Sequence, residues 1–309
     1  MSMPAQRSTP TDSTLFEHTS VMLEEVLRAL APIRAGHYLD VTLGGAGHAR
    51  AILEADAEAR LLGFDRDPLA VRVARERLAP FGERAQVAHG SFVDVEPWLE
   101  SAGIEAVSGI VADLGLSSQQ LAAAERGMSF RSEGPLDMRM DPTCGETALE
   151  LIQRSKQEDL ADIIYELGEE RRSRRVARCI KQAEERGELQ STLDLRRAVV
   201  RAVGPRRIGG IDPATRTFQA LRIAVNGELE QLRQLLQGAE RWLRPGGTLI
   251  IISFHSLEDR MVKRAFQHKE IWERLSTKPQ KAGPEECARN PRSRSAKLRA
   301  ARRVVEASA

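Results

Sequence analysis

The sequence predicts a parallel α/β sheet interrupted by an all-helical insertion, and three observations carry that expectation. Short apolar runs alternate with helical periodicity from residue 37 to residue 113. Residues 121–216 then hold no convincing strand, and Leu149, Ile152, Leu160, Ile163, Ile164 and Leu167 recur there at helical intervals. A strongly β-branched run resumes at residues 248–253. Parallel strands need long crossovers, so strand–helix alternation marks such a sheet. With 309 residues, the chain has room for one large domain with an insertion or for two domains.

Taken in order, residues 20–30 place Val21, Met22, Val26, Leu27 and Leu30 at helical spacing, with Ser20 as N-cap. Residues 37–43 read as a first strand, closed by Gly44-Gly45-Ala46-Gly47, and a helix starts at His48. A second strand at 61–64 ends in Asp65-Arg66-Asp67-Pro68 and leads into a helix at 69–78. A third strand (85–88), a helix (95–102) and a fourth strand (107–113) follow. Beyond the insertion, 218–243 make one or two helices, Pro245-Gly246-Gly247 a turn, and 248–253 the fifth strand. The domain plan is a disordered leader at 1–14, a discontinuous core of 15–120 and 217–309, and a helical insertion at 121–216.

Hydrophobic residues at 41% and charged residues at 29% are ordinary for a globular protein, while aromatics at 4% are sparse, so the core must be mainly aliphatic. Cys144, Cys179 and Cys287 lie far apart without CxxC or CxxH spacing, which supports neither a disulfide framework nor a zinc site and fits a reducing, cytoplasmic location. The N-terminal residues lack the apolar core of a signal peptide, and no run is long enough to span a bilayer; no membrane contact is expected. The net charge of +2 is unevenly spread: from Lys278 onward nine Lys or Arg face three Glu, a net +6 that leaves about −4 elsewhere. The end of the chain thus reads as a basic tail, either a polyanion contact or simply solvated.

Ligands of open α/β sheets bind outside the carboxyl ends of the strands, where glycine lets backbone approach closely and a helix begins. The turn from Asp40 to His48 occupies that position. Asp65, 20 residues after Gly45, ends the second strand, where a carboxylate can accept hydrogen bonds from both ribose hydroxyls. Alone, the turn could be an ordinary tight loop; with Asp65 it describes an adenosine site. The spacing is not GxGxxG, so the usual pyrophosphate cradle is missing, and S-adenosylmethionine becomes a better expectation than a dinucleotide.

Several segments resemble the bacterial ribosomal small-subunit methyltransferase H family, also called MraW. They are His18-Thr19-Ser20-Val21, residues 40–48, Phe64-Asp65-Arg66-Asp67-Pro68, His89-Gly90-Ser91-Phe92, residues 112–121, 125–130 and 134–141, Gly168-Glu169-Glu170-Arg171, residues 213–221, and residues 252–260. They run in order along nearly the whole chain. The resemblance implies a Rossmann-like class I S-adenosylmethionine-dependent methyltransferase sheet, and methyl transfer to the exocyclic N4 of a cytidine in 16S rRNA. It carries the cofactor contacts to the turn Gly44, Gly45, Ala46, Gly47 and His48, to Asp65, to Phe92, and to Asp113 and Gln120. The family usually has glycine where this chain has Ala46.

A cytosine amino group is a poor nucleophile because its lone pair is delocalised into the ring. Acceptors for both amino hydrogens would localise it, and alignment with the activated methyl supplies the positional part of the rate. Many amino-methyltransferases place Asp or Asn, two prolines and an aromatic residue at the end of the fourth strand. Here that place holds Asp113-Leu114-Gly115. Asp113 could accept the amino group, but the resemblance puts it on the cofactor. His255, after the fifth strand, is the candidate catalytic residue, set against a structural histidine. Phe254 and Phe130 are candidates for stacking on a base, or core residues; Phe92 is either core filler or a platform for adenine.

Arg171, Arg172, Arg174, Arg175 and Arg178 fall in one expected helix, and Arg206, Arg207 and Arg216 flank a Gly-Pro-rich loop. Phosphate contact is one reading; intrahelical pairs with Glu169, Glu170 and Glu184 are the other. The expected partner is 16S rRNA within the small ribosomal subunit; a homodimer is compatible with the sequence, and no metal is called for. Two other classes compete: a nicotinamide oxidoreductase, which predicts the missing GxGxxG, and a non-catalytic ribosome assembly factor, which leaves the cofactor turn without a purpose. A methyltransferase acting on another RNA base is the nearer alternative.

Overall fold

A computed structural model describes residues 20–30, 36–205 and 210–305. The expected leader at 1–14, the His18-Thr19 pair and Arg206 and Arg207 lie outside the described residues.

The strands are β1 (Gly36–Asp40), β2 (Ala59–Asp65), β3 (Ala85–His89), β4 (Val107–Asp113), β5 (Leu243–Ser253), β6 (Trp272–Arg274) and β7 (Lys297–Arg303). They form one sheet in the order β3-β2-β1-β4-β5-β7-β6. The first five are parallel, and β7 runs antiparallel to both β5 and β6. The order reverses at β1, so the carboxyl ends of β1 and β4 open a crevice there.

Helices α1 (Leu23–Leu30), α2 (Gly47–Ala55), α3 (Pro68–Leu78), α4 (Val95–Ser101) and α5 (Ser118–Ala122) accompany the first four strands. Then come α6 (Ala148–Arg154), α7 (Gln157–Gly168), α8 (Ser173–Glu185), α9 (Thr192–Val203), α10 (Thr215–Asn226), α11 (Glu228–Trp242), α12 (Ser256–Ala265) and α13 (Pro284–Arg289). Because strand side chains alternate in direction, neighbours along β1, β2, β4 and β5 feed two cores. Leu39, Leu62, Ile110, Leu249 and Ile251 pack under α4 and α11. Tyr38, Leu61, Val111, Ile250 and Ile252 pack under α1, α2 and α3.

A third core joins α6 to α9 through Leu151, Ile164, Val176, Ile180, Leu195 and Val199, and it extends to Phe218 and Leu221 of α10. Thr147 and Ser191 close reciprocal capping boxes with Glu150 and Asp194, which fixes where α6 and α9 begin. Residues 218–243 divide into two helices at Gly227, which is left-handed at φ +58. The first expected helix starts later than its periodicity suggests. Met22 takes φ +54, a left-handed geometry that excludes residues 20–22 from α1. In β5 the expected Pro-Gly-Gly turn survives as an irregularity, since Val107 pairs with Leu243 but Gly109 with Thr248.

The larger correction concerns the basic end of the chain. It is not a solvated tail, because residues 297–303 form β7, wedged between β5 and β6. Arg299 is buried, with Nε donating to Asp259 Oδ1 at 2.7 Å, and Lys297 Nζ lies 3.1 Å from the other oxygen. Those two cations are consumed by the fold.

Candidate active site

A cavity opens at the carboxyl edge of the sheet. Its floor is the turn after β1. Ala46 takes φ +59, the left-handed conformation that lets α2 start at Gly47, directly against Ser20. A Cβ on residue 47 would overlap Ser20 Oγ and force that side chain to move, so glycine allows the close approach seen here. His48 is buried, with its Nε2 2.9 Å from the Val21 carbonyl, and the ring ties the start of α1 to the turn.

Asp65 is built into the same turn. Its Oδ2 accepts the Gly44 N–H at 2.7 Å and its Oδ1 the Asp67 N–H at 2.8 Å. Burial pushes its pKa up to about 6, against the lowering effect of those two donors. Asp40, fully enclosed at the end of β1, is also raised to about 6, first by burial and then by Asp113 and Asp65, while His48 and the Thr42 N–H oppose the rise. The crevice therefore concentrates carboxylates that a ligand with hydroxyl or cationic groups would satisfy.

Gly44, Gly45, Gly47, His48, Asp65, Phe92, Asp113 and Gln120 line the cavity together. Ala46 does not: its methyl is buried in the core beneath α2. Phe92 follows β3 at the cavity wall and is only partly buried by the core behind it. Asp113 closes β4, with its N–H donating to Thr42 Oγ1 at 2.6 Å and its Oδ1 accepting from Gly115 at 3.1 Å. Gln120 is more tightly engaged. Its amide oxygen accepts the Ser117 N–H at 3.0 Å, and its nitrogen donates to Asp67 Oδ2 at 3.0 Å, where Arg126 also binds.

The candidate catalytic residue His255 is not among the residues lining the cavity. It is the N-cap of α12: Nδ1 accepts the Glu258 N–H at 3.4 Å, and Nε2 lies 3.1 Å from Glu258 Oε1 without the alignment of a hydrogen bond. Glu258 does line the cavity, and its Oε2 accepts the Phe254 and His255 N–H groups at 2.8 and 3.3 Å. Glu228, His255 and Glu258 come close enough to hold a metal ion. However, a ligating histidine donates its second ring nitrogen to an acceptor, whereas Nδ1 here faces a backbone donor. Glu228 is also bound by Arg222, at 2.7 and 2.8 Å. Burial opposes the Arg222 charge, but Glu228 and Glu258 together hold its pKa above the usual arginine range.

The two aromatic candidates separate. Phe130 packs edge-on against Phe218, centroids 4.9 Å apart, in the helical core. Phe254 lies over Gly115, where an added Cβ would come within 2.6 Å of its ring, so this part of the β4 turn needs glycine.

Sequence reasoning missed Arg292, Glu258, Glu228 and Gln231, all of which line the cavity. Arg292 comes from the segment read as a tail; it donates to the Leu116 carbonyl and sits near Asp113, which opposes the lowering of its pKa by burial. Nothing local in the sequence marks it. Glu258 did carry a signal, the three-residue spacing of a capping box from His255.

The side chains of Arg171, Arg174, Arg175 and Arg178 are exposed around the start of α8 and make no hydrogen bond or ion pair with the described residues. The acidic residues that could have paired with them are engaged elsewhere: Glu169 with Ser256 and Arg260, Glu170 with the Arg172 N–H and Arg216, Glu184 with Lys181. Arg172, the remaining member of the cluster, donates to the Val203 carbonyl.

The sheet order, with its switch point at β1 and an antiparallel β7, is that of the Rossmann-like class I methyltransferase fold. The family model described as the MraW methylase family matches residues 15–304. The Ribosomal RNA small subunit methyltransferase H of Sorangium cellulosum is 62% identical over 293 residues, covering 95% of this chain and 93% of that protein. The proteins of the same name from Prochlorococcus marinus and Deinococcus deserti are each 52% identical over 299 residues, covering 94% and 96% of this chain and 94% and 97% of their own. The chain belongs to the MraW methylase family.

Proposed function

We propose that the protein transfers a methyl group from S-adenosylmethionine to the exocyclic N4 of a cytidine in 16S rRNA of the small ribosomal subunit. The observation that carries this reading is the convergence of the glycine turn, Asp65, Phe92 and Asp113 on one cavity at the switch point of the sheet. Asp65 is the ribose acceptor, Phe92 the adenine platform, and the turn through Gly47 gives the amino-acid part of the cofactor close backbone approach. When bound, S-adenosylmethionine supplies a methyl group activated by a positive sulfur. The protein's part is to fix the amino nitrogen in line, accept its hydrogens and keep water away.

The all-helical module of residues 121–216 recognises the substrate, with the unpaired arginines of α8 on phosphate. The curated relatives are named for the small-subunit ribosomal RNA, and a cytoplasmic location follows from that substrate. Among the described residues no helix is long and apolar enough to cross a membrane. Equilibrium binding of radiolabelled S-adenosylmethionine, followed by transfer of its methyl label to purified small subunits, tests the proposal. Binding with transfer to 16S rRNA is expected; RNA binding without cofactor binding would leave an assembly factor instead.

A further inference from the structure

We infer that Glu258 is the group that receives the amino hydrogens of the target base, and that His255 is its positioning residue. The inference rests on the N4 reading above. Cytosine N4 requires an acceptor at the carboxyl ends of β4 and β5, where Leu114 N–H donates to the Ile252 carbonyl and the two strands end side by side. The usual acceptor motif with its two prolines is absent from Asp113-Leu114-Gly115.

Among the described residues, four carboxylates line the cavity: Asp65, Asp113, Glu228 and Glu258. Two are committed through both oxygens, and the third, Asp113, is offset by a cation. Both oxygens of Asp65 hold backbone N–H groups, at the far end of β2. Both oxygens of Glu228 are gripped by Arg222. Asp113 braces the Gly115 N–H and has the Arg292 charge nearby. Glu258 differs. Its Oε2 is pinned by two backbone donors, so the carboxylate cannot rotate away, while Oε1 accepts no aligned hydrogen bond. Arg222 is hydrogen-bonded to Glu228 alone, although its charge also reaches Glu258, so Glu258 Oε1 keeps its face to the cavity.

His255 completes the arrangement from behind. With Nδ1 receiving the Glu258 N–H, the ring directs its Nε2–H to within reach of Oε1, 3.1 Å from Nε2. That proton steadies Oε1 without occupying it in a linear bond, so a lone pair remains for an amino hydrogen. The side chains of His255 and Glu258 are 7% and 3% exposed, which keeps competing water out. In the transfer, a bond forms from the amino nitrogen to the methyl carbon as the methyl–sulfur bond breaks. The bonding pair stays on sulfur, which becomes neutral. The surplus amino proton passes to Glu258 Oε1 and from there to water.

The test is Glu258→Gln, assayed on small subunits alongside the parent protein with the modified nucleoside identified. In this variant the amide oxygen is claimed by the Phe254 and His255 N–H groups, which turns NH2 toward the cavity where an acceptor is needed. The expected result is a kcat loss of about 100-fold or more, with KM for subunits and Kd for cofactor within about twofold of the parent. Turnover within about threefold of the parent would overturn the assignment. If Glu258→Gln fails to bind cofactor and so has not folded, His255→Asn decides. Asparagine keeps the helix cap but removes the Nε2 proton, and kcat should fall on the order of tenfold at unchanged cofactor Kd; unchanged kcat would again overturn the assignment. A parent protein that labels a position other than N4 contradicts the proposed function itself. A parent that labels N4 beside a fully active Glu258→Gln contradicts only this inference.

Discussion

Asp65 Oδ2 accepts the Gly44 N–H at 2.7 Å, so the carboxylate at the end of β2 and the glycine turn after β1 form one hydrogen-bonded unit. On the proposed reading, the cofactor's ribose and its amino-acid part are thereby offered a single preorganised surface. Disturbing either half should be felt by the other.

Asp65→Asn retains the shape but removes the charge, and a hydrogen bond to a charged acceptor contributes about 1.5–3 kcal/mol. Cofactor Kd, measured by calorimetry, should rise about 10–100-fold. Because burial holds the parent's Asp65 near pKa 6, cofactor affinity should also fall as pH drops below 6, and the asparagine variant should lose that dependence. Parallel pH profiles for both proteins would argue against Asp65 as the ribose acceptor.

Asp40 gives a stability prediction of the opposite sense to most carboxylates. Its folded pKa of about 6 lies above the ordinary value of 3.8, so the folded state binds the proton more tightly. Its favourable contribution is complete below about pH 4 and is lost as pH rises through 6. Cofactor-free Asp40→Asn should therefore match the parent at about pH 3.5. It should become more stable than the parent at pH 7.5, by about 3 kcal/mol at most. Denaturant titration at the two values checks this; a pH-independent difference would refute it.

Ala46 holds φ +59, and left-handed backbone costs an L-residue about 1–2 kcal/mol. Glycine removes that strain but loses a buried methyl, worth about 0.8 kcal/mol, and adds chain entropy to the unfolded state. Ala46→Gly should therefore change stability by no more than about 1 kcal/mol, with cofactor Kd unchanged because the methyl does not face the cavity. A loss of affinity would place Ala46 on the cofactor after all.

The unpaired arginines of α8 predict a separation of effects. Charge reversal at Arg174 and Arg175 should weaken binding to small subunits and flatten its salt dependence, while cofactor Kd and melting temperature stay near the parent's. Filter binding across a salt series reads the first, calorimetry the second. Equal losses in cofactor and subunit binding would contradict a phosphate-contacting role.

Much of the sheet was legible because β1 to β5 are aliphatic and bounded by glycine, proline or aspartate, and alternation with helices left few topologies. The final strand was not. Residues 297–303 read Lys-Leu-Arg-Ala-Ala-Arg-Arg, a composition poor in β-branched residues whose register depends on partners distant in sequence. Arg299 can be buried only because Asp259, 40 residues earlier, neutralises it. The same non-local logic hid Arg292, which reaches the cavity only once β7 has been placed.

His255 shows the complementary case. Its position after β5 was readable, but the direction of its ring was not, because that depends on the cap it forms with Glu258. The residue three positions on, not the histidine, faces the cavity. Likewise the pairing state of the α8 arginines depended on where Glu169, Glu170 and Glu184 found other partners.

The central claim is the identity of the methylated atom. Small subunits lacking the modification should be incubated with the protein and methyl-labelled S-adenosylmethionine, and the 16S rRNA digested and resolved by mass spectrometry. Label confined to N4-methylcytidine is the predicted result. Label on carbon 5 of cytosine, on a ribose oxygen or on ribosomal protein would contradict the account.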